Sequence, residues 1–409
     1  MSIQFKQHTL PNGLTIIAEP NPDAHTAAVG YFVKAGTRDE DHALMGVSHF
    51  LEHMMFKGTT RRTADDVNRE FDDMGANYNA FTSHEMTVYF AHVLPEFLPA
   101  AVDLLGDILR PALRDEDFDM EKNVIIEEIG MYDDRPSWRL QDQLLEEFFG
   151  VHPLSYRVLG TVQSVTDLTA TQMRDYFEQR YSPDNIVVSA AGRLDFDRLV
   201  DDVAKITEDW KPTGARRVYK DPIFELSNRK IEDERTSRHY IGLMCPGPSA
   251  QDMDRYPAKV LADILGDSDG SRIYWSLVDP GHADEADMSI LPYDQTGSFF
   301  AYASCDPEKG DQVQAILEEV LDEAGEGLTG GELERAKNKL ATAATLQGER
   351  PAGRMQGLGG QWLYQGEYTP LSEELARLMA VTREDIVRVI EKYRFAPRTI
   401  LSLTPPRGA

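Results

Sequence analysis

The sequence is short of basic residues. Lys and Arg number 42 against 69 Asp and Glu, a formal net charge of −27 at pH 7 over 409 residues. Nucleic acid is therefore not an expected partner, because binding it needs a basic footprint. Long apolar runs are also missing. None approaches the roughly 18 to 20 residues of a membrane span, so no membrane partner is expected. The opening MSIQFKQHTLPNGLTIIAEP has no basic stretch leading into an apolar one. It reads instead as a strand, a turn at Pro11-Asn12-Gly13, and a second strand from Leu14 to Ala18. A cytoplasmic protein is the expectation. Cysteine is scarce: Cys245 and Cys305 lie far apart in apolar surroundings. They make neither a disulfide framework nor a zinc cluster, and a reducing compartment suits them.

What remains is ordinary globular composition, 41% hydrophobic and 27% charged, in a chain long enough for two or three domains. Two stretches resemble each other, LTATQMRDYFEQRYSPDNIVVSAAG (168–192) and AVTREDIVRVIEKYRFAPRTILSLTPP (380–406). Each opens with a Thr at a helix N-cap position, runs on as an amphipathic helix, breaks at a proline and ends in an apolar strand. They are about 210 residues apart, roughly half the chain, which favours a true repeat over chance. WKPTGARRVYKDPIFELSNRK is polar and broken by proline and glycine, and reads as a linker. The expected layout is a first domain over 1–210, a linker over 211–230 and a related second domain over 231–409, both alternating strands and helices.

The first half holds SHFLEHMMFKGT (48–59). Gly46 and Ser48 can start a helix there, and Gly58-Thr59-Thr60 can end it. His49 and His53 are four apart and share one helix face, so their imidazoles can take two corners of a metal tetrahedron. Glu52 is displaced around the helix, where a carboxylate can take a proton from a water at the metal and later hand it to a leaving amine. H-x-x-E-H is the inverzincin order of these residues. Five residues can also fall this way by chance, as two ordinary histidines and a surface glutamate. At the corresponding place the second half has KVLADILGDSDGSRIYWSL, which reads as a helix without histidine.

A catalytic zinc usually takes three protein ligands and a water. The helical stretch DFDMEKNVIIEEIGMYDDRP (117–136) places Glu121 and Glu128 seven apart on one face. Val124 and Ile125 on that face mark it as the inward side. Two inward carboxylates need a partner, and a cation is the economical one. Glu127 points about 100° away and is the weaker candidate.

On these residues the sequence resembles the inverzincin peptidases typified by pitrilysin, insulysin and the mitochondrial processing peptidase, and is nearest the bacterial single-half members. HFLEHMMFKGT matches the zinc helix and EKNVIIEEIGMYDD the helix of the third ligand. GANYNAFTSHEMTVYF (75–90) matches the strand beside the active site, and HPLSYRVLGT (152–161) another family mark. The resemblance covers nearly the whole chain. It implies an α+β fold of two related domains, each a mostly antiparallel sheet backed by helices, with two chains closing as a clam shell around a chamber. It implies one Zn²⁺ per chain on His49, His53 and Glu128, Glu52 as general base, and Glu121 holding ligand or water orientation. The edge strand would take an extended peptide as an added strand, with Asn79, Ala80 and Phe81 beside it; for Phe81 a core position is an equal reading. His84 and His92 read as ordinary strand residues, and GLGG (357–360) as part of a helix.

One departure stands out. Many family members carry an arginine and, seven residues on, a tyrosine that hold the substrate carbonyl. In SRIYWSLVDPGHADEADMS (271–289) those positions are Val278 and Glu285. Either other residues serve, or a clamp-bearing homologue does. Three readings follow: a peptidase on its own as a homodimer, the zinc-bearing subunit of a heterodimer, or a non-catalytic binding subunit. Subunits of the last kind typically lose the ligands, and here all are present. Glu285 could instead face the chamber and favour cationic peptides.

Overall fold

The β-branched and aromatic runs AAVGYFV and IVVSAAG become central strands in which every residue is buried. The computed structural model describes residues 4–224 and 226–406. They fall into two units that interleave along the chain. One is built from Met1–Ile129, Tyr156–Val218 and Leu346–Tyr368, the other from Gly130–Ser155, Tyr219–Thr345 and Thr369–Ala409.

The first unit holds a six-stranded sheet of β1 (Lys6–Thr9), β2 (Thr15–Pro20), β3 (Ala27–Val33), β4 (Asn77–Thr82), β5 (Thr87–Val93) and β6 (Ile186–Gly192). The order is β1-β2-β6-β3-β5-β4, antiparallel throughout except for the β2–β6 pair. One face packs on helices that include Val47–Met55, Leu98–Ile108 and Ala170–Arg180, burying Tyr31, Phe50, Phe71 and Tyr89. The other face is covered by the helix Pro351–Gln365. Its glycines let it approach closely: a Cβ on Gly359 would stand 2.4 Å from the Phe32 ring, and one on Gly30 of β3 would stand 2.7 Å from Met355 Sδ. Gly359 of GLGG therefore serves helix–sheet packing.

The second unit holds β7 (Ser227–Glu232), β8 (His239–Pro246), β9 (Glu285–Tyr293), β10 (Thr296–Cys305) and β11 (Thr399–Thr404). The order is β7-β11-β8-β10-β9, again with one parallel pair, β7–β11. One face packs on helices including Arg255–Gly266 and Arg383–Tyr393, and the other on the helix Pro136–Phe149. There a Cβ on Gly242 of β8 would stand 2.8 Å from Leu144 Cδ2, as Gly30 does to its own covering helix. Cys245 and Cys305 are buried free thiols.

The two sheets share one plan. Thr169 and Thr382 each cap a helix, each closing a capping box, and each helix leads into a strand, β6 or β11. Each of these strands lies between a parallel and an antiparallel neighbour. The fold is thus α+β with two related, mostly antiparallel sheets backed by helices. The stretch 259–277, expected as one helix, is two pieces. The first helix stops at Gly266, where Asp267 turns extended, and a separate π-helical turn covers Tyr274–Val278. Between Trp210 and β7, residues 211–224 form no regular element, and β7 begins at Ser227.

Candidate metal centre

The helix Val47–Met55 forms because Val47, Phe50, Leu51, Met54 and Met55 give it a continuous apolar face, all buried. Its start is set by Gly46, at φ 94°. A Cβ there would be strained and would meet Leu159 O at 2.7 Å. The cap comes from a distance: Glu40 accepts the N–H groups of Gly46 and Ser48, both at 2.8 Å. A carboxylate is well suited to the unsatisfied amides and positive dipole end of a helix. The Ser48 hydroxyl joins this cap and also lies 2.8 Å from the Tyr176 hydroxyl. The HPLSYRVLGT stretch contributes Gly160, which packs against Gly46.

On this helix His49 is buried and His53 half-buried, their rings 4.6 Å apart. Glu128 comes from the helix Asp115–Asp133, with Oε2 3.4 Å from His53 Nε2 and 3.8 Å from His49 Nε2. His49, His53 and Glu128 offer three donor atoms within 4.8 Å of one another. Donors on a tetrahedral zinc stand roughly 3.3–3.6 Å apart, given bonds of about 2.0–2.2 Å, so Glu128 Oε2 already lies near that spacing from both histidines and the donor set suits that ion. Burial pushes the His49 pKa down to about 3, helped by the charge of His53, which leaves a neutral imidazole able to ligate. For His53 burial acts downward, but hydrogen bonding to Glu121 and the charge of Glu128 raise its pKa overall.

Glu121 is buried, with Oε1 2.8 Å from His53 Nδ1 and Oε2 2.5 Å from Lys57 Nζ. Its burial favours the neutral acid, but those two partners outweigh it and hold the pKa below the usual value. Glu127 is exposed. The inward face was expected to include Val124, and this is corrected: Val124 is 47% exposed, while Phe118, Glu121, Ile125 and Ile129 are buried. At about 100° per residue the buried face centres on Ile125, and Val124 lies a full step to one side.

Glu52 is partly buried, and its carboxylate Oε2 accepts a hydrogen bond from Thr82 Oγ1 at 2.6 Å. Burial raises its pKa; the Thr82 hydroxyl and His53 pull the other way. Thr82 ends β4, which among the described residues pairs with β5 alone and forms one edge of the sheet. Side chains alternate along β4. Tyr78 and Ala80 pack inward on the core, while Asn79 and Phe81 face out, Phe81 being 39% exposed. Asn79 Oδ1 accepts the N–H of Ala80 at 2.9 Å. His84 lies in the turn after β4, not in a strand as expected, because the chain reverses there between the paired Thr82 and Thr87. His92 is on β5, with Nε2 2.7 Å from Thr26 Oγ1.

In the second unit Val278 packs against the apolar core. Glu285 is exposed at the start of β9 and accepts the Tyr302 hydroxyl at 2.8 Å. Among the described residues no second group of three metal-ligating side chains occurs. Three contacts at the centre went unread in the sequence: Glu40, Lys57 and Thr82. Lys57 had a local signal, being four residues after His53 at the helix end. Thr82 had a weaker one, lying on the same strand face as Ala80. Glu40 had none, since its reach depends on how the loop 40–46 closes.

Residues 15–162 match the family model described as Insulinase (Peptidase family M16), and residues 167–340 that of the Peptidase M16 inactive domain. An uncharacterised zinc protease of Mycobacterium tuberculosis is 33% identical over 416 residues, covering 99% of this chain and 94% of the relative. A probable mitochondrial-processing peptidase subunit beta of Arabidopsis thaliana is 30% identical over 413 residues, covering 97% and 78%. The crystal structure of a protease from Helicobacter pylori superposes with a TM-score of 0.91 at 21% identity, over 99% of this chain and 100% of that one, a likeness of fold.

Proposed function

The chain belongs to the insulinase peptidase family M16, and on that premise we propose that it is a zinc-dependent endopeptidase acting on short, unfolded or extended peptides. One observation carries the reading: the Nε2 atoms of His49 and His53 and Oε2 of Glu128 converge, with the Glu52 carboxylate one residue from His53 on the same helix. His49, His53 and Glu128 would hold one zinc per chain. When bound, zinc supplies Lewis acidity, polarising the scissile carbonyl and lowering the pKa of water toward about 7. Glu52 takes the proton from the attacking water and delivers it to the leaving amine. Glu121, anchored by Lys57, keeps the Nδ1 proton of His53 in place so that Nε2 carries the free lone pair. The neutral state of His49 gives the second lone pair.

The peptide lies along β4, whose outer edge pairs with no other strand among the described residues. Backbone pairing there needs no particular substrate sequence, with Asn79, Ala80 and Phe81 beside the added strand. To engage the N–H of Ala80 the peptide must displace the Asn79 side chain. Glu285 serves as a contact for cationic side chains. The buried free thiols fit a cytoplasmic setting.

The working form is a dimer, with each zinc-bearing unit facing the second unit of a partner chain. The positions at which the family resemblance implies an arginine and a tyrosine hold a core-packed Val278 and the Tyr302-bound Glu285. This favours equally a homodimer with other contacts and a heterodimer with a clamp-bearing homologue. A non-catalytic binding role is disfavoured because all four reacting groups are in place. The test is digestion of a mixed peptide library by the purified chain, alone and with a neighbouring homologue, read by mass spectrometry alongside metal content and sedimentation. Cleavage with about one zinc per chain supports the reading. A metal-free chain, or zinc without cleavage in either setting, overturns it; efficient cleavage by a sedimenting monomer overturns the dimer.

A further inference from the structure

We propose that Thr82 is a positioning residue for Glu52: its hydroxyl holds one carboxylate oxygen so that the other is aimed at the attacking water. The proposal rests on the reading of Glu52 as the base. The contact is direct, Thr82 Oγ1 to Glu52 Oε2 at 2.6 Å, in a half-buried setting. An ionised carboxylate only accepts hydrogen bonds, so the hydroxyl must donate its single proton to Oε2. Bonds of this charge-assisted kind are shorter and stronger than neutral ones. Oε1 is then the oxygen left to take a proton. When it does, Oε2 becomes a carbonyl oxygen and still accepts the same bond, so the contact survives the transfer.

Thr82 is itself well held. It lies opposite Thr87, whose hydroxyl donates to Ala35 O at 2.9 Å. The turn that follows is closed by Ser83 N–H to Met86 O at 2.8 Å. Glu85 in that turn is buried, 2.6 Å from Arg38 Nη1 at its carboxylate and 2.6 Å from Arg217 Nη2 at its backbone oxygen. Arg217 also grips Asp39 at 2.6 Å, beside the Glu40 that caps the histidine helix. One buried cluster thus fixes both the strand end that bears Thr82 and the loop from which the Glu52 helix starts. A glutamate has three rotatable side-chain bonds, so without the threonine proton the base samples orientations that miss the water.

The experiment compares Thr82→Val, Thr82→Ser, Glu52→Gln and Thr82→Val in the Glu52→Gln background, each checked for fold and zinc content. The ¹³C resonance of the Glu52 carboxyl is recorded as a readout independent of turnover. Removing a hydrogen bond to a charged group should lower kcat roughly 10- to 100-fold. KM and zinc content should hold within about twofold, because valine keeps the β4 backbone edge intact, the Thr82 side chain lies on the inward Tyr78–Ala80 face, and Thr82 is not among the ligands. Ser should restore most of the loss. The carboxyl resonance should move in Val and not in Ser. In the Glu52→Gln background the Val change should alter the residual rate less than twofold. The proposal falls if Val leaves kcat or the resonance unchanged, if Ser fails as fully as Val, or if Val costs the same with Glu52 already removed. A wild-type chain that cleaves nothing, or a Glu52→Gln chain that cleaves normally, sinks the peptidase or base reading instead; the resonance still tests the contact.

Discussion

Glu121 Oε1 lies 2.8 Å from His53 Nδ1, and Lys57 Nζ lies 2.5 Å from the other oxygen of the same carboxylate. Held as an anion, Glu121 can only accept, so His53 must carry its proton on Nδ1 and leave Nε2 free toward Glu128. Glu121→Gln should therefore keep the fold and weaken zinc binding about 10- to 100-fold. Lys57→Met should weaken it less, because it removes only the anchor of Glu121. Competition titration with a zinc chelator measures both, and unchanged affinity in Glu121→Gln would show that the contact does not tune the ligand.

Glu52→Gln keeps the shape of the side chain and the acceptor for Thr82 while removing the base. Zinc content should match wild type, and kcat should fall by at least about 100-fold, the lower end of what general acid–base catalysis contributes. Near wild-type turnover by a purified, metal-loaded Glu52→Gln chain would remove Glu52 from the mechanism.

The neighbouring acids Glu127 and Glu128 separate sharply by exposure. Glu127 points to solvent, and Glu128 stands 3.4 Å from His53 Nε2. Glu128→Gln should lose most of the zinc, while Glu127→Gln should stay within about twofold of wild type, as expected for an exposed acid outside the ligand set. Stripping the zinc with a chelator should lower the Tm of wild type and Glu127→Gln alike, because the ion binds only the folded cluster. Equal zinc loss in the two variants would rotate the ligand assignment by one residue.

These residues were legible because helical spacing is local. His49, Glu52 and His53 lie within two turns, and Glu121 and Glu128 repeat after seven residues, so each pair shares a face wherever its helix packs. The same rule misplaced Val124, because spacing gives which residues share a face but not where the buried arc is centred; Phe118 and Ile129 move that centre to Ile125. Glu40, Thr82 and Arg217 were not legible for another reason. Their contacts join segments from 8 to 178 residues apart, through loops whose closure no periodicity encodes. The repeat was visible through its two Thr-capped helices leading into strands. The helices Pro136–Phe149 and Pro351–Gln365, each covering a sheet built mostly from the other half of the chain, carry no sequence mark of their destination.

Glu285 offers a prediction in two independent parts. Burial and the charge of Glu285 push the pKa of Asp287 up to about 6 from a usual value of 3.8. A carboxyl that titrates higher when folded binds its proton more tightly in the native state. Its stabilising contribution is thus fully present below about 3.8 and is lost as pH rises through about 6. Glu285→Gln keeps an acceptor for Tyr302 and removes the neighbouring charge, so Asp287 should ionise at lower pH. The fall in unfolding free energy between about pH 4 and 6 should become shallower in the variant than in wild type. Parallel curves from urea denaturation would mean that the two carboxylates do not interact. The functional part concerns substrate charge. An exposed carboxylate at the start of an edge strand should attract Lys- and Arg-rich peptides, so Glu285→Gln should raise KM for those peptides more than for neutral ones. Added salt should shrink the difference, since charges this exposed are screened over about 8–10 Å at physiological ionic strength. A loss equal for cationic and neutral peptides, or one insensitive to salt, would leave Glu285 as a structural partner of Tyr302 and Asp287 and remove it from substrate recognition.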